Sequence, residues 1–78
     1  MSAPEFSAAG FSRRLRDARI RSGMTVQEAA AVCMMPMPTL EAYLYRQHLP
    51  TASALFKIAV GLSVSTDWLL FGDGGRNG

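Results

Sequence analysis

Apolar positions along the chain recur at helical rather than strand spacing, and turn-forming residues cut the pattern into five pieces. Phe11, Leu15, Ala18 and Ser22 fall at i, i+4, i+7 and i+11, so the first helix is predicted over Phe11–Ser22, with Gly23 supplying a left-handed stop. Thr25, three residues before Glu28, forms a capping-box signature, and the Ala-rich VQEAAAVC that follows predicts a second helix to about Met34. Pro36 and Pro38 both bias the residue before them away from helical backbone. Met35 and Met37 are therefore expected to be extended, with a third helix starting at Pro38, its apolar face made of Leu40, Tyr43 and Leu44, and Pro50 ending the segment. Thr51 caps a fourth helix with the stripe Leu55, Ile58, Ala59 and Leu62; Ser65 caps a short fifth, with Asp67 in its first turn and Val64 placed to staple Leu69. No run reads as a strand. The expectation is an all-α, five-helix domain over residues 11–72, between mobile tails at 1–10 and 73–78.

Composition narrows this picture. A chain of 78 residues with 49% hydrophobic content can build one small core. A domain of this size leaves a large share of its surface uncovered, so a homodimer interface is a natural supplement. The lone Cys33 forbids an internal disulfide and reads as a small buried hydrophobe; with His48 as the sole histidine there is no zinc-type ligand set. No metal, cofactor or catalytic constellation is expected, and the chain is not read as an enzyme. No apolar run approaches the ~20 residues of a membrane helix. Together with an N-terminus that lacks signal-peptide order, this gives the expectation of a cytoplasmic protein with no membrane partner.

Net charge is only +2, yet five of the eight basic residues (Arg13, Arg14, Arg16, Arg19 and Arg21) crowd into nine positions. Such a cluster is either a solvated helix face or a set of phosphate forks.

Two short helices joined by a tight turn inside a five-helix domain are the geometry that sets a second helix into the major groove of DNA. The segments RRLRDARIRSGMT (13–25), QEAA (27–30), Thr39–Leu40, Pro50 and AVGLSVSTDWLLFG (59–72) resemble the Cro and lambdoid phage-repressor helix-turn-helix family. The resemblance covers about residues 11–72, and VSTDWLLFG is its most specific part. It implies a lambda-repressor-like fold and a sequence-specific transcription regulator that binds double-stranded DNA, usually as a dimer.

Carried over position by position, the resemblance places base reading on Met37, Pro38 and Ala42, with Thr39 and Glu41 nearby. Phosphate contact falls to Tyr45, Arg46 and Gln47, with Gln27, Arg13 and Arg14 as further candidates. Trp68, Leu70 and Phe71 are candidate dimer contacts. Ala30 matches the small residue of helix two and Leu40 the anchor of the recognition helix. Several family features are replaced. Val26 takes the phosphate-touching Gln position, Met34 the turn glycine, Arg46 the glycine after the recognition helix, and Leu44 the Glu that pairs with the late Arg of helix one. Arg19 then needs another partner: Glu41, a backbone carbonyl at a helix C-terminus, or a phosphate. The prolines are expected to reshape the turn at Met34.

Three of the five base-reading candidates cannot hydrogen-bond through the side chain. Apolar groups can still meet a thymine methyl, and Glu41 can accept from cytosine N4. The alternative is a protein-binding derivative of the fold, an antiactivator or antitoxin that engages a partner through MMPMP. A DNA reader should present a continuous positive face around helices two and three, and a protein binder an exposed apolar patch there.

Overall fold

The computed structural model describes residues 6–72, which form five helices: α1 Ala8–Ser22, α2 Val26–Val32, α3 Met37–Tyr45, α4 Ala52–Leu62 and α5 Thr66–Phe71. Among the described residues there is no strand, and no helix is long and apolar enough to cross a membrane. The expectations for residues 1–5 and 73–78 lie outside the described residues.

α1 begins three residues before the predicted start. Ser7 accepts a hydrogen bond from the Gly10 N–H at 3.1 Å, so residues 8–10, expected in the N-terminal tail, belong to the helix. Phe11, Leu15 and Ala18 are buried as their spacing predicts. Ser22 is exposed instead, its hydroxyl donating to the Arg19 carbonyl at 2.7 Å. Gly23, at φ 73°, stops the helix.

The capping box forms at α2, with Glu28 N–H on Thr25 Oγ1 at 3.1 Å and Thr25 N–H on Glu28 Oε1 at 2.9 Å. The helix closes at Val32, two residues early, and Met34 takes up the left-handed conformation at φ 55°. The prolines thus leave the turn unreshaped. Its geometry is fixed by α2 itself, because Met34 N–H reaches the Ala31 carbonyl and Met35 N–H the Ala30 carbonyl, each at 3.1 Å. Holding a methionine there costs roughly 1–2 kcal/mol relative to the glycine such a site favours.

The prolines act one step later. Pro36 is the N-cap of α3 at φ −61° and ψ 147°, and its carbonyl accepts from both Thr39 N–H (3.0 Å) and Leu40 N–H (3.2 Å). Met37 is consequently the first helical residue rather than an extended one, and Pro38 sits second. Both prolines stand where a helix needs no intrahelical donor, so neither breaks it. α3 ends at Tyr45, well before Pro50; the left-handed residue after it is Gln47 (φ 55°), not Arg46 (φ −107°).

The core joins Phe11 and Leu15 of α1, Ala29, Ala30 and Cys33, Leu40, Tyr43 and Leu44 of α3, Ile58 and Leu62 of α4, and Leu69 of α5. Buried Ser12 donates to the Tyr43 carbonyl at 2.6 Å and ties α1 to the last turn of α3. α4 and α5 carry their predicted caps, Thr51 on Ala54 N–H and Ser65 on Trp68 N–H, both at 3.0 Å. Leu55 and Ala59 are half-buried beside Ile58 and Leu62, and Val64 packs on the core with Leu69. At Gly61, α4 passes so close to α2 that an added Cβ would lie 2.6 Å from the Val32 carbonyl oxygen.

Candidate nucleic-acid interface

Leu40, Tyr43 and Leu44 fix the inner side of α3, and that sets which residues face outward. Met37, Pro38 and Thr39 are exposed, and Glu41 is half-buried. Ala42 is only 8% exposed while the Arg46 side chain holds this position. Pro38, Ala42 and Arg46 share one stripe at i, i+4 and i+8, and the Arg46 guanidinium folds back along it to donate to the Pro38 carbonyl at 3.3 Å. Arg46 thus lies across Ala42. Of the phosphate candidates, Gln27, Tyr45, Arg46, Gln47 and Arg13 are exposed; Gln27 lies in the first turn of α2, and Gln47 follows α3. The start of α3 offers few amides to an anion, because Pro36 and Pro38 have none and that of Thr39 is taken by the Pro36 carbonyl.

Most of the arginine cluster is turned inward. Arg14 donates through Nε to the Leu69 carbonyl (2.9 Å) and through Nη2 to the Leu70 carbonyl (2.6 Å), closing carbonyls of α5's last turn. Its guanidinium lies against Gly10 and Gly72, where added Cβ atoms would meet Nη1 at 3.1 and 3.4 Å. Burial, and then the neighbouring Arg13, lower its pKa from the ordinary arginine value. Arg14 is therefore a clamp between α1 and α5 rather than a free phosphate fork. Arg16 caps the Leu44 carbonyl at the end of α3. Arg19 takes the carbonyl of Met24, just past α1, at 2.7 Å, while its buried Nε has no partner among the described residues. Leu44, in the place of the family's Glu, is fully buried. Arg21 pairs with Asp17 at 3.0 Å on the surface. Arg13 is exposed without such a partner among the described residues.

This allocation changes the electrostatics. From Thr25 to His48 the chain carries two carboxylates, Glu28 and Glu41, against one guanidinium, Arg46, a net charge of −1 with His48 neutral. The continuous positive face expected of a DNA reader is not built from α2 and α3 side chains. Apolar groups are exposed there instead: Met34 at 72%, Tyr45 at 52%, and Val32 and Met37 to a lesser degree. His48 is exposed, and Cys33 is fully buried, its thiol pKa pushed up by burial.

The order of the helices, the tight α2–α3 turn and the anchoring of α3 by Leu40 coincide with a comparison of sequence. Residues 15–69 match the family model described as helix-turn-helix, the XRE and lambda-repressor type. The chain belongs to the helix-turn-helix family. No curated protein and no solved structure matches it. This helix-turn-helix domain is of a DNA-binding, regulatory kind.

Trp68, Leu70 and Phe71, the candidate dimer contacts, are all half-buried by their own chain. Trp68 lines an open cleft of about 430 Å³ with Ala18, Arg21, Ser22, Leu62, Val64 and Ser65. The most exposed aromatic ring is Phe56 of α4, at 66%, with Val60 beside it at 64%. Both lie outside the predicted Leu55, Ile58, Ala59 and Leu62 stripe, and their i, i+4 spacing in the sequence is the signal that they share a face.

Proposed function

We propose that this helix-turn-helix protein is a sequence-specific transcription regulator of the small repressor or controller type, binding an inverted-repeat operator in double-stranded DNA as a homodimer in the cytoplasm. The observation that carries the reading is the α2–turn–α3 unit, in which Leu40 and Leu44 lock α3 into the core while Met37, Pro38 and Thr39 stay outside. Met37 and Pro38 suit a thymine methyl, Thr39 a base or a phosphate, and Glu41 the N4 amino group of cytosine. Arg13, Gln27, Tyr45, Arg46 and Gln47 serve the backbone, with Arg46 leaving Pro38 to do so. With few cations available, sequence-dependent DNA shape supplies further discrimination. Titration of labelled duplex against the full chain at several salt concentrations tests the reading. Binding should weaken with salt, but with a slope set by about two phosphate contacts per subunit, Arg13 and Arg46.

A second reading is favoured by the net negative charge of α2–α3 and by exposed Val32, Met34, Met37 and Tyr45. On it, the same surface docks a protein partner, as in an antiactivator or antitoxin. Absence of duplex binding at the lowest salt would select this reading.

A further inference from the structure

Met37, Glu41 and Tyr45 stand at i, i+4 and i+8 of α3, so they form one stripe that turns through about 80° from end to end. Met37 and Tyr45 are exposed, and Glu41 between them is half-buried. Among the described residues no hydrogen bond reaches the Glu41 carboxylate, and the one salt bridge is that of Arg21 with Asp17. Arg46, the cation next to this stripe, is turned to the Pro38 carbonyl instead. Three residues before the stripe, Met34 holds left-handed backbone at φ 55° with 72% of its surface exposed. A glycine would make that turn without strain, and burial inside the domain offsets little of it. The surface is thus apolar at both ends, with an unpartnered carboxylate in the middle.

We propose that this stripe, with Met34, docks a cationic amphipathic helix of another protein, in which an arginine sits on Glu41 between apolar side chains that cover Met37 and Tyr45. Charge complementarity selects this occupant. The segment from Thr25 to His48 is net negative, so it attracts a basic helix and repels an acidic one. A partner with its own i, i+4, i+8 pattern matches the spacing, and an arginine fork suits a carboxylate that no other group holds. The flexible thioethers of Met34 and Met37 adapt to the apolar residues around it. The inference rests on the second reading above and names that partner's chemistry; on the first reading, the same helix competes with DNA for α3.

The probes are fluorescein-labelled amphipathic helical peptides of leucine and arginine, with two controls of the same pattern: glutamate in place of arginine, and serine in place of leucine. Their binding to the full chain is followed by anisotropy without DNA at about 150 mM salt, where loose surface attraction is screened. The leucine–arginine peptide should bind, and both controls should bind at least about tenfold more weakly. Glu41→Arg places like charges in contact, so it should weaken that peptide at least about tenfold and strengthen the glutamate control. Met34→Gly relieves backbone strain, stays folded and should weaken the peptide about fivefold through lost apolar contact; it keeps the test decisive should Glu41→Arg unfold. No binding by the wild type, equal binding of the serine control, or affinities unchanged in either folded variant would each overturn the proposal. Duplex binding is titrated in parallel. A wild type that binds duplex but no peptide overturns the proposal and leaves the DNA reading intact, whereas one that binds the leucine–arginine peptide but no duplex supports the proposal and removes the DNA reading.

Discussion

Arg14 carries more structural consequence than any other cation of α1. Its two charge-assisted bonds to the Leu69 and Leu70 carbonyls replace water at the end of a six-residue helix that has little cohesion of its own. Arg14→Ala should cost about 2 kcal/mol in chemical denaturation, since hydrogen bonds to charged groups contribute on that order. A loss no larger than that of exposed Arg13→Ala would remove the clamp. Met34 makes the opposite prediction. It sits left-handed at φ 55° and 72% exposed, so Met34→Gly relieves strain while sacrificing little burial. Stability should rise by about 1 kcal/mol. Cys33 adds a pH term: burial raises its pKa above the ordinary 9.0, so the folded state holds the thiol proton more tightly than the unfolded one. That stability is present in full below the unfolded pKa and is lost as pH rises through the folded pKa. Denaturation midpoints should therefore fall above about pH 9, and fall less in Cys33→Ala.

The elements follow local chemistry where that chemistry is short-range. Thr25, Thr51 and Ser65 cap as their positions predict, because each bond closes within three residues. Helix ends resisted reading for the same kind of reason. Gln47 and Ser63 occupy left-handed backbone with no glycine to mark it, Met34 keeps the conformation of the turn glycine it replaces, and Ser7 caps α1 from within the expected tail. Met37 became helical because the Pro36 carbonyl and the buried Leu40 outweigh the bias imposed by Pro38. Long-range partners were not legible either. Nothing local in Arg14, Arg16 or Gly61 indicates that each meets backbone on another helix. Gly61→Ala should accordingly destabilise by about 1–3 kcal/mol, because its Cβ must displace the Val32 backbone rather than a flexible side chain. A thermal melt unchanged from wild type would show that α2 and α4 can separate freely.

For the molecule as a whole, the sequence made the fold family readable through VSTDWLLFG and the arginine-rich first helix, and the match over residues 15–69 agrees. It did not reveal how charge is distributed. An arginine cluster counts the same in sequence whether it faces phosphate or backbone, and here Arg14, Arg16 and Arg19 are committed inside the domain. What α3 leaves for the proposed base contacts is a small surface of Met37, Pro38, Thr39 and Glu41, with Arg46 beside it. The most direct test of the account is selection of bound duplexes from a randomised library at low salt, comparing the wild type with Glu41→Ala. The wild type should enrich an inverted repeat with half-site centres roughly 34 Å apart, and Glu41→Ala should alter base preference at one position of each half-site, with little change in overall affinity. The same selection on Arg46→Ala should return the wild-type sequence at uniformly lower affinity. Failure of the wild type to enrich any duplex, or an identical motif from Glu41→Ala, would contradict the proposed docking of α3 in the major groove.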